Sequence, residues 1–366
     1  MGFRCGIVGL PNVGKSTVFN ALTASQAPAE NYPFCTIDPN VGRVPVPDER
    51  LDRLQALLRM PKVTPTTMEF VDIAGLVRGA HQGEGLGNQF LAYIREVEAI
   101  AHVVRCFADP NVAHVHGSVG PRLDIEVVNA ELLLADLEGV ERALERLERR
   151  AKVGDKTAQE DIGLLRQIHA ALSRGEPLRR ADLPPAAKPI IESLHLLTAK
   201  PLFYIANIDE EGIQHGSPWL DEVRRVAADE GTAVVPLCAK LEAELAAMSP
   251  AEADEFAVLM GLTERGMPQV IRVGYRLLGL ITFYTVVGTE LRAWAIPRGT
   301  KAPQAAGKIH SDMERGFIRA EVITVDDFCA IGSLAAARER GALRAEGRDY
   351  VVQDGDILYI RFHVTS

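Results

Sequence analysis

Short runs of consecutive apolar residues alternate along this chain with segments whose apolar residues recur every three or four positions. Phe3 to Val8 is the first such run, and a helical segment starting near Lys15 follows it. Within "TPTTMEFVD" the run Thr66 to Val71 is β-rich, and "AIAHVVRCF", "KPLFYIANID" and "TAVVPLCAK" are further apolar strands, the last two separated by a helix around Asp221 to Asp229. Strands alternating with helices predict an α/β core. A different pattern interrupts it from about Asp124 to Arg150. There Ala130, Leu133, Leu137, Val140, Leu144, Leu147 and Ala151 alternate three and four residues apart, the a/d spacing of a coiled coil, with Glu138, Glu141, Arg142, Glu145 and Arg146 on the other faces. After the turn "KVGDKTAQ", Ala158, Ile162, Leu165, Ile168 and Leu172 repeat the spacing, which predicts an antiparallel helical hairpin. It reads either as an ordinary helical subdomain or as a partner-binding arm. From about Leu278 onward the strand-like runs "LITFYTVV", "LRAWAI", "FIRAEVI" and "DILYIRF" predict a compact β-rich domain.

Composition narrows the class. A chain of 366 residues, 47% hydrophobic and 24% charged, has the profile of a soluble protein of two or three domains. No uncharged apolar run approaches the roughly 20 residues of a membrane span. "MGFRCGIVGL" enters a strand at once without a signal peptide's basic segment and cleavage site, and Gly6 stands where a myristoylation signal wants Ser or Thr. The five cysteines are scattered and never form a CxxC pair, which argues against a disulfide framework and a zinc site. The expected compartment is the cytoplasm. A net charge of −9 speaks against indiscriminate nucleic-acid binding, and the eleven basic and eleven acidic residues from 281 to 366 do not demonstrate RNA binding by bulk charge.

The chemistry begins at "GLPNVGKS", Gly9 to Ser16, a complete G-x-x-x-x-G-K-[ST] between a strand and a helix. In that setting backbone N–H groups cradle phosphates, Lys15 reaches the β and γ phosphates, and the Ser16 hydroxyl binds Mg²⁺. Asn12, Val13, Gly14, Lys15, Ser16 and Thr17 are the expected phosphate-binding set. "DIAG" then places Asp72 at a strand end to hold Mg²⁺ and Gly75 where its N–H would sense the γ-phosphate. Thr36 in "NYPFCTIDPN" offers a third Mg²⁺-side oxygen, beside Cys35, whose redox role is unreadable from sequence. The glycine-rich stretch after Asp72 suits a switch. Leu76 follows Gly75 where many GTPases carry a water-orienting Gln, so the attacking water needs another partner. His81, His114 and His116 are candidates, an imidazole being suited to that task near neutral pH.

At the base end, GTPases use N-K-x-D, whose Asp takes two hydrogen bonds from guanine. Here the residues are Asn207, Ile208, Asp209 and Glu210. Slipping the register to use Asp209 would put Ala206 in the Asn position, so the register holds and the fourth residue is Glu. One methylene longer, its carboxylate misses the bidentate fit, while Asn207 suits the N6/N7 edge of adenine. Ile208 keeps apolar packing against the base, and Cys238-Ala239-Lys240 stands where GTPases carry Ser-Ala-Lys.

"GLPNVGKST", "NYPFCTIDPN", "FVDIAGLVRGA", "GEGLGNQFL", "HVVRCF", "NIDEEG", "AWAIPRGTKAPQAAGKIHSDMERGFIRAEV" and "VVQDGDILYIRF" together resemble the YchF family, the Obg-like ATPases, over essentially the whole chain. The resemblance implies a P-loop NTPase core interrupted by an antiparallel helical hairpin and followed by a C-terminal β-grasp (TGS) domain. The corresponding boundaries are 1–121 and 198–277 for the core, 122–197 for the hairpin and 278–366 for the TGS domain. It implies hydrolysis of ATP rather than GTP, with Asn207, Ile208, Glu210 and Ala239 at the base, and association with ribosomes, with RNA contacts through the arm and TGS domain. It favours His114 as the catalytic histidine beside Lys15 and Gly75, and Asn12 as a ligand of an activating K⁺. The expected protein is a cytoplasmic monomer without membrane contact. Two alternatives stay open: a ribosome-associated GTPase, and a nucleotide-regulated binding module with negligible turnover. His310 and Asp312 lack a third ligand and are expected in surface or hydrogen-bonding roles.

Overall fold

The protein is represented by a computed structural model that describes residues 3–24, 41–73, 75, 79, 86–112, 117–152, 155–262 and 264–363. They fall into two compact units, Met1–Val44 with Glu69–Gly274, and Pro45–Met68 with Tyr275–Ser366.

Twelve strands are described: β1 (Arg4–Val8), β2 (Val41–Pro45), β3 (Lys62–Thr64), β4 (Thr67–Asp72), β5 (Ala99–Cys106), β6 (Leu202–Ile208), β7 (Val234–Leu237), β8 (Leu280–Val287), β9 (Glu290–Pro297), β10 (Phe317–Thr324), β11 (Arg344–Glu346) and β12 (Asp356–Phe362). The first sheet runs β2-β4-β1-β5-β6-β7. Its β4-β1-β5-β6-β7 pairs are all parallel. β5 and β6 are buried at every residue, as expected of strands covered on both faces. Parallel packing brings the C-terminal ends of β1, β4, β5 and β6 to one edge, where an open α/β sheet receives its ligand.

The inserted hairpin consists of Pro121–Ala151 and Lys156–Ser173. Pro121 opens the first helix at a position where its missing N–H costs nothing, and Asp155 caps the second by accepting from Ala158 N at 3.1 Å. Leu133, Leu137, Val140, Leu144, Leu147 and Ala151 pack against Ala158, Ile162, Leu165, Ile168 and Leu172, as the a/d pattern predicts. Ala130 departs from it and is exposed. One turn earlier the helix turns Ile125, Val128 and Leu132 inward instead, all at most 1% exposed, because its base rests on the α/β core rather than on its partner helix. Buried Asp136 fastens the return segment: its carboxylate accepts from Leu197 N (2.8 Å), Thr198 N (2.8 Å) and the Thr198 hydroxyl (2.7 Å).

The second unit holds a sheet in the order β11-β10-β12-β8-β9-β3. A parallel β12-β8 pair lies at its centre with antiparallel partners outside, β10 on β12 and β9 on β8, the grasp arrangement. Period-two alternation splits the strands between two cores. Ile281, Phe283, Ile296 and Leu358 face the helix Ala302–Ile309. Tyr284, Leu291, Ala293 and Ile357 face Leu51 and Leu54 of the helix Glu49–Leu58. That helix and β3 come from residues 45–68, which the boundaries expected from sequence place within a continuous 1–121 core. Their apolar positions carry no mark of the sheet they will join, and β3 lies more than two hundred residues from β9, its partner. His310 does take a hydrogen-bonding role: its Nδ1 accepts from Asp312 N at 3.2 Å. No described helix is long and apolar enough to cross a membrane.

Candidate nucleotide-binding site

β1 delivers the chain to a loop that ends in the helix Lys15–Ala24. Asn12 and Gly14 sit at φ 64° and 95°. A side chain at Gly14 would be strained by that backbone, and its Cβ would stand 2.4 Å from Asn207 Nδ2. The glycine thus permits a close approach that Asn207 uses, its Nδ2 donating to Val13 O at 2.9 Å.

Lys15 is buried against the loop, and burial lowers its pKa while the carboxylate of Asp72 opposes the shift. The Ser16 hydroxyl donates to Asp72 Oδ2 at 3.2 Å. The other oxygen, Asp72 Oδ1, is buried with no hydrogen-bond partner among the described residues. Burial raises the Asp72 pKa, and Lys15 and the Ser16 hydroxyl pull it back. An orphaned carboxylate oxygen beside a hydroxyl in the first turn of a P-loop helix is the hard-oxygen set that Mg²⁺ takes, with phosphate and water completing its shell. The residues present fit that ion. Gly75 also comes close: a Cβ placed on it would lie 3.2 Å from Pro11 N and 3.3 Å from Lys15 Nζ. Its backbone therefore abuts the phosphate loop. Thr36 and His114, with Cys35, Leu76, His81 and His116, lie outside the described residues.

Beyond the loop opens a cavity of about 570 Å³. Asn12 and Gly14 line it from the loop, Thr17 from the first turn of the helix that follows, Asn207 and Ile208 from β6, Glu210 from the start of the next helix, and Ala239 and Lys240 from the turn after β7. Every base-side residue expected from sequence is at this cavity, and so are three of the phosphate-loop residues. The structure adds a second role to one of them. Asn207 is 5% exposed, and its amide serves the protein at both ends, with Oδ1 accepting from Ala239 N at 3.0 Å. Tied to Val13 and Ala239, it staples the phosphate loop to the base-side turn, and with one bond at each end its amide keeps a second N–H and a second lone pair on the cavity wall. Sequence could show what this amide is able to bond, but not that these two backbone groups stand beside it.

The neighbours of Asn207 agree with the register deduced from sequence. Asp209 accepts from Gly212 N at 2.7 Å and caps the helix Glu210–His215, so its carboxylate has local work. Glu210 sits half exposed on the cavity rim and accepts from Lys240 Nζ at 3.3 Å. Burial pushes the Cys238 thiol up, away from thiolate chemistry.

Sequence reasoning missed the remaining wall. Phe107, Ala108, Asp109 and Val112 close the cavity from the loop after β5. The available signal was position: "HVVRC" is an apolar strand, and the loop leaving the C-terminal end of a strand in a parallel sheet stands at the ligand edge.

Known proteins resemble this chain over its full length. The profile of a family described as "50S ribosome-binding GTPase" matches residues 4–131, and one described as "Protein of unknown function (DUF933)" matches residues 280–363. A protein of Escherichia coli O157:H7 named "Ribosome-binding ATPase YchF" is 54% identical over 364 residues, 100% of both chains. One of the same name from Bacillus subtilis (strain 168) is 48% identical over 366 residues, again 100% of both. Among solved structures, that of the Schizosaccharomyces pombe YchF GTPase superposes with a TM-score of 0.90 at 37% identity and covers 98% of each chain. The names of these relatives thus split between the two nucleotides.

Proposed function

The chain belongs to the YchF family, and from that premise we propose that it is a ribosome-associated P-loop NTPase that binds and hydrolyses ATP in preference to GTP. The observation that carries the choice of base is the Glu210–Lys240 pair. Guanine recognition at the fourth motif position needs a carboxylate presented to two ring donors. Here the carboxylate is longer, stands on the rim and already accepts from an ammonium. No other motif residue replaces it: Asp209 caps a helix and Asn207 is held by backbone groups.

In this reading the triphosphate lies along Gly9 to Ser16, with loop N–H groups and Lys15 on its β and γ oxygens. Mg²⁺, held by Ser16 and Asp72 with Thr36, would neutralise charge developing between those phosphates. The Gly75 N–H senses the γ-phosphate, and His114 orients the attacking water in place of the missing Gln. Asn12, on the cavity wall, holds K⁺ as an additional counter-charge. The helical arm and the β-grasp domain carry the ribosome and RNA contacts of a monomer working in the cytoplasm.

Calorimetric titration with ATP and GTP tests the assignment. ATP should bind about 10-fold tighter or more, in line with the roughly 1–3 kcal/mol that a lost bidentate base contact is worth. GTP binding at least as tightly as ATP would make the protein a ribosome-linked GTPase. Phosphate release with and without ribosomes separates an enzyme from a binding module, and turnover should be faster in K⁺ than in Na⁺.

A further inference from the structure

The cavity wall after β5 is a stretch of loop, yet a single buried side chain organises it. Arg105, the second-last residue of β5, is 2% exposed. Its Nε donates to Phe107 O at 3.2 Å, its Nη1 to Val112 O at 3.0 Å and its Nη2 to Asp109 O at 3.4 Å. The guanidinium also lies 4.5 Å from the centroid of the Phe107 ring. Three of the residues it holds line the base-side cavity.

Carbonyls drawn inward to one fork fix the backbone of residues 107–112, because a planar guanidinium offers its donors in a set geometry. A Lys could supply charge there, but its three donors sit on one nitrogen and cannot reproduce the planar fork. Burial lowers the Arg105 pKa, and the carboxylates of Asp109 and Asp124 oppose that shift, the latter 1% exposed in the first turn of the helix Pro121–Ala151. Across the sheet, Arg105 is the register partner of Asn207. Two adjacent strand-end side chains therefore anchor the two sides of the slot: Asn207 the phosphate loop and the Ala239 turn, Arg105 the facing wall.

We propose that Arg105 is a positioning residue for base recognition, setting the wall of residues 107–112 against which the purine is held, with no contact of its own to the phosphates. The inference rests on the reading of the cavity as the base site. It predicts a split that a general weakening of the fold would not produce, since base and phosphates of one ligand meet different anchors.

The test is titration of the full-length Arg105→Gln and Arg105→Lys proteins with Mg²⁺-ATP and with Mg²⁺-tripolyphosphate, which has no base. ATP affinity should fall about 10-fold or more in Arg105→Gln while tripolyphosphate affinity stays within about 2-fold, and Arg105→Lys should fall between that variant and the wild type. If Arg105→Gln does not fold, Arg105→Lys decides by the same split. Equal losses for both ligands, or no loss for ATP, overturn the proposal. A wild-type protein that binds ATP no tighter than tripolyphosphate overturns the base-site reading and this inference with it. A wild type that prefers ATP, with variants that keep the full preference, overturns this inference alone.

Discussion

At the phosphate end of the cleft, Asp72 keeps a buried oxygen that nothing in the described protein satisfies. At the base end, the most conspicuous polar side chain, Asn207, has each end of its amide bonded to backbone. The two ends share one loop and one sheet edge. They differ in where specificity is stored. An orphaned, buried acceptor is stable only if a ligand completes it, so the phosphate end is organised around its cation and phosphates. The base end is organised around itself: Asn207 and Arg105 hold its two sides, and the proposed choice of base rests on the Glu210–Lys240 pair at its rim.

Substitutions on each side sharpen or break that contrast. The largest effect is expected for Lys15→Ala, which removes a charge the chemistry uses: kcat should fall on the order of 10²–10³-fold. Turnover within about 10-fold of wild type would show that the loop lysine is not central to hydrolysis. Asn207→Ala leaves Val13 O and Ala239 N without partners and should cost about 2–3 kcal/mol of stability by denaturant unfolding. It should also weaken Mg²⁺-tripolyphosphate along with ATP. A variant that changes only the ATP/GTP ratio would return Asn207 to the role of base reader.

A comparable effect, read by pH, belongs to the sheet beneath both ends. His102 on β5 is 1% exposed, its Nδ1 has no hydrogen-bond partner among the described residues, and its pKa is lowered to about 3 by burial and by the Arg179 charge. A folded pKa below the unfolded value, about 6.5, means that the unfolded chain takes up the proton first. The stability is complete above pH 6.5 and is lost as pH falls towards 3, by roughly 2–3 kcal/mol at pH 4.5 from this residue. His102→Leu should flatten the fall between pH 6.5 and 4.5. An unchanged slope would place the acid sensitivity elsewhere. The smallest effect is expected for Glu210→Gln. Both partners of its pair are largely exposed, so stability should change by less than about 1 kcal/mol. A marked fall in GTP affinity would be the informative result, because it would show that the Glu210 carboxylate still accepts from guanine.

The legibility of the molecule obeys the same division. The P-loop, Asp72 and Gly75 could be read because their chemistry uses backbone turns and short spacings that a local sequence specifies. The seam of the hairpin could be read because each helix repeats one period for several turns. Asn207, Ile208 and Glu210 were legible as members of the site, but the backbone partners of Asn207 were not. The Asn207 amide donates to the carbonyl of Val13, 194 residues away, and only proximity makes that bond. Asp109 and Val112 carry no motif, and Arg105 and Phe107 are read in sequence only as part of "HVVRCF", without a role.

The sequence by itself determined the local grammar of this protein: a phosphate loop between strand and helix, a metal-side aspartate at a strand end, a paired-helix insertion and a closing β-rich domain. Each rests on contacts between residues near in sequence, or on a period that repeats. Tertiary structure alone decided that residues 45–68 lend a helix and a strand to the second sheet, that Asn207 is a staple and that Arg105 holds a wall. Those outcomes depend on which buried donor meets which carbonyl across the fold. A buried polar group must be satisfied by whatever the packing brings within about 3 Å, and that neighbour is written nowhere in the local sequence.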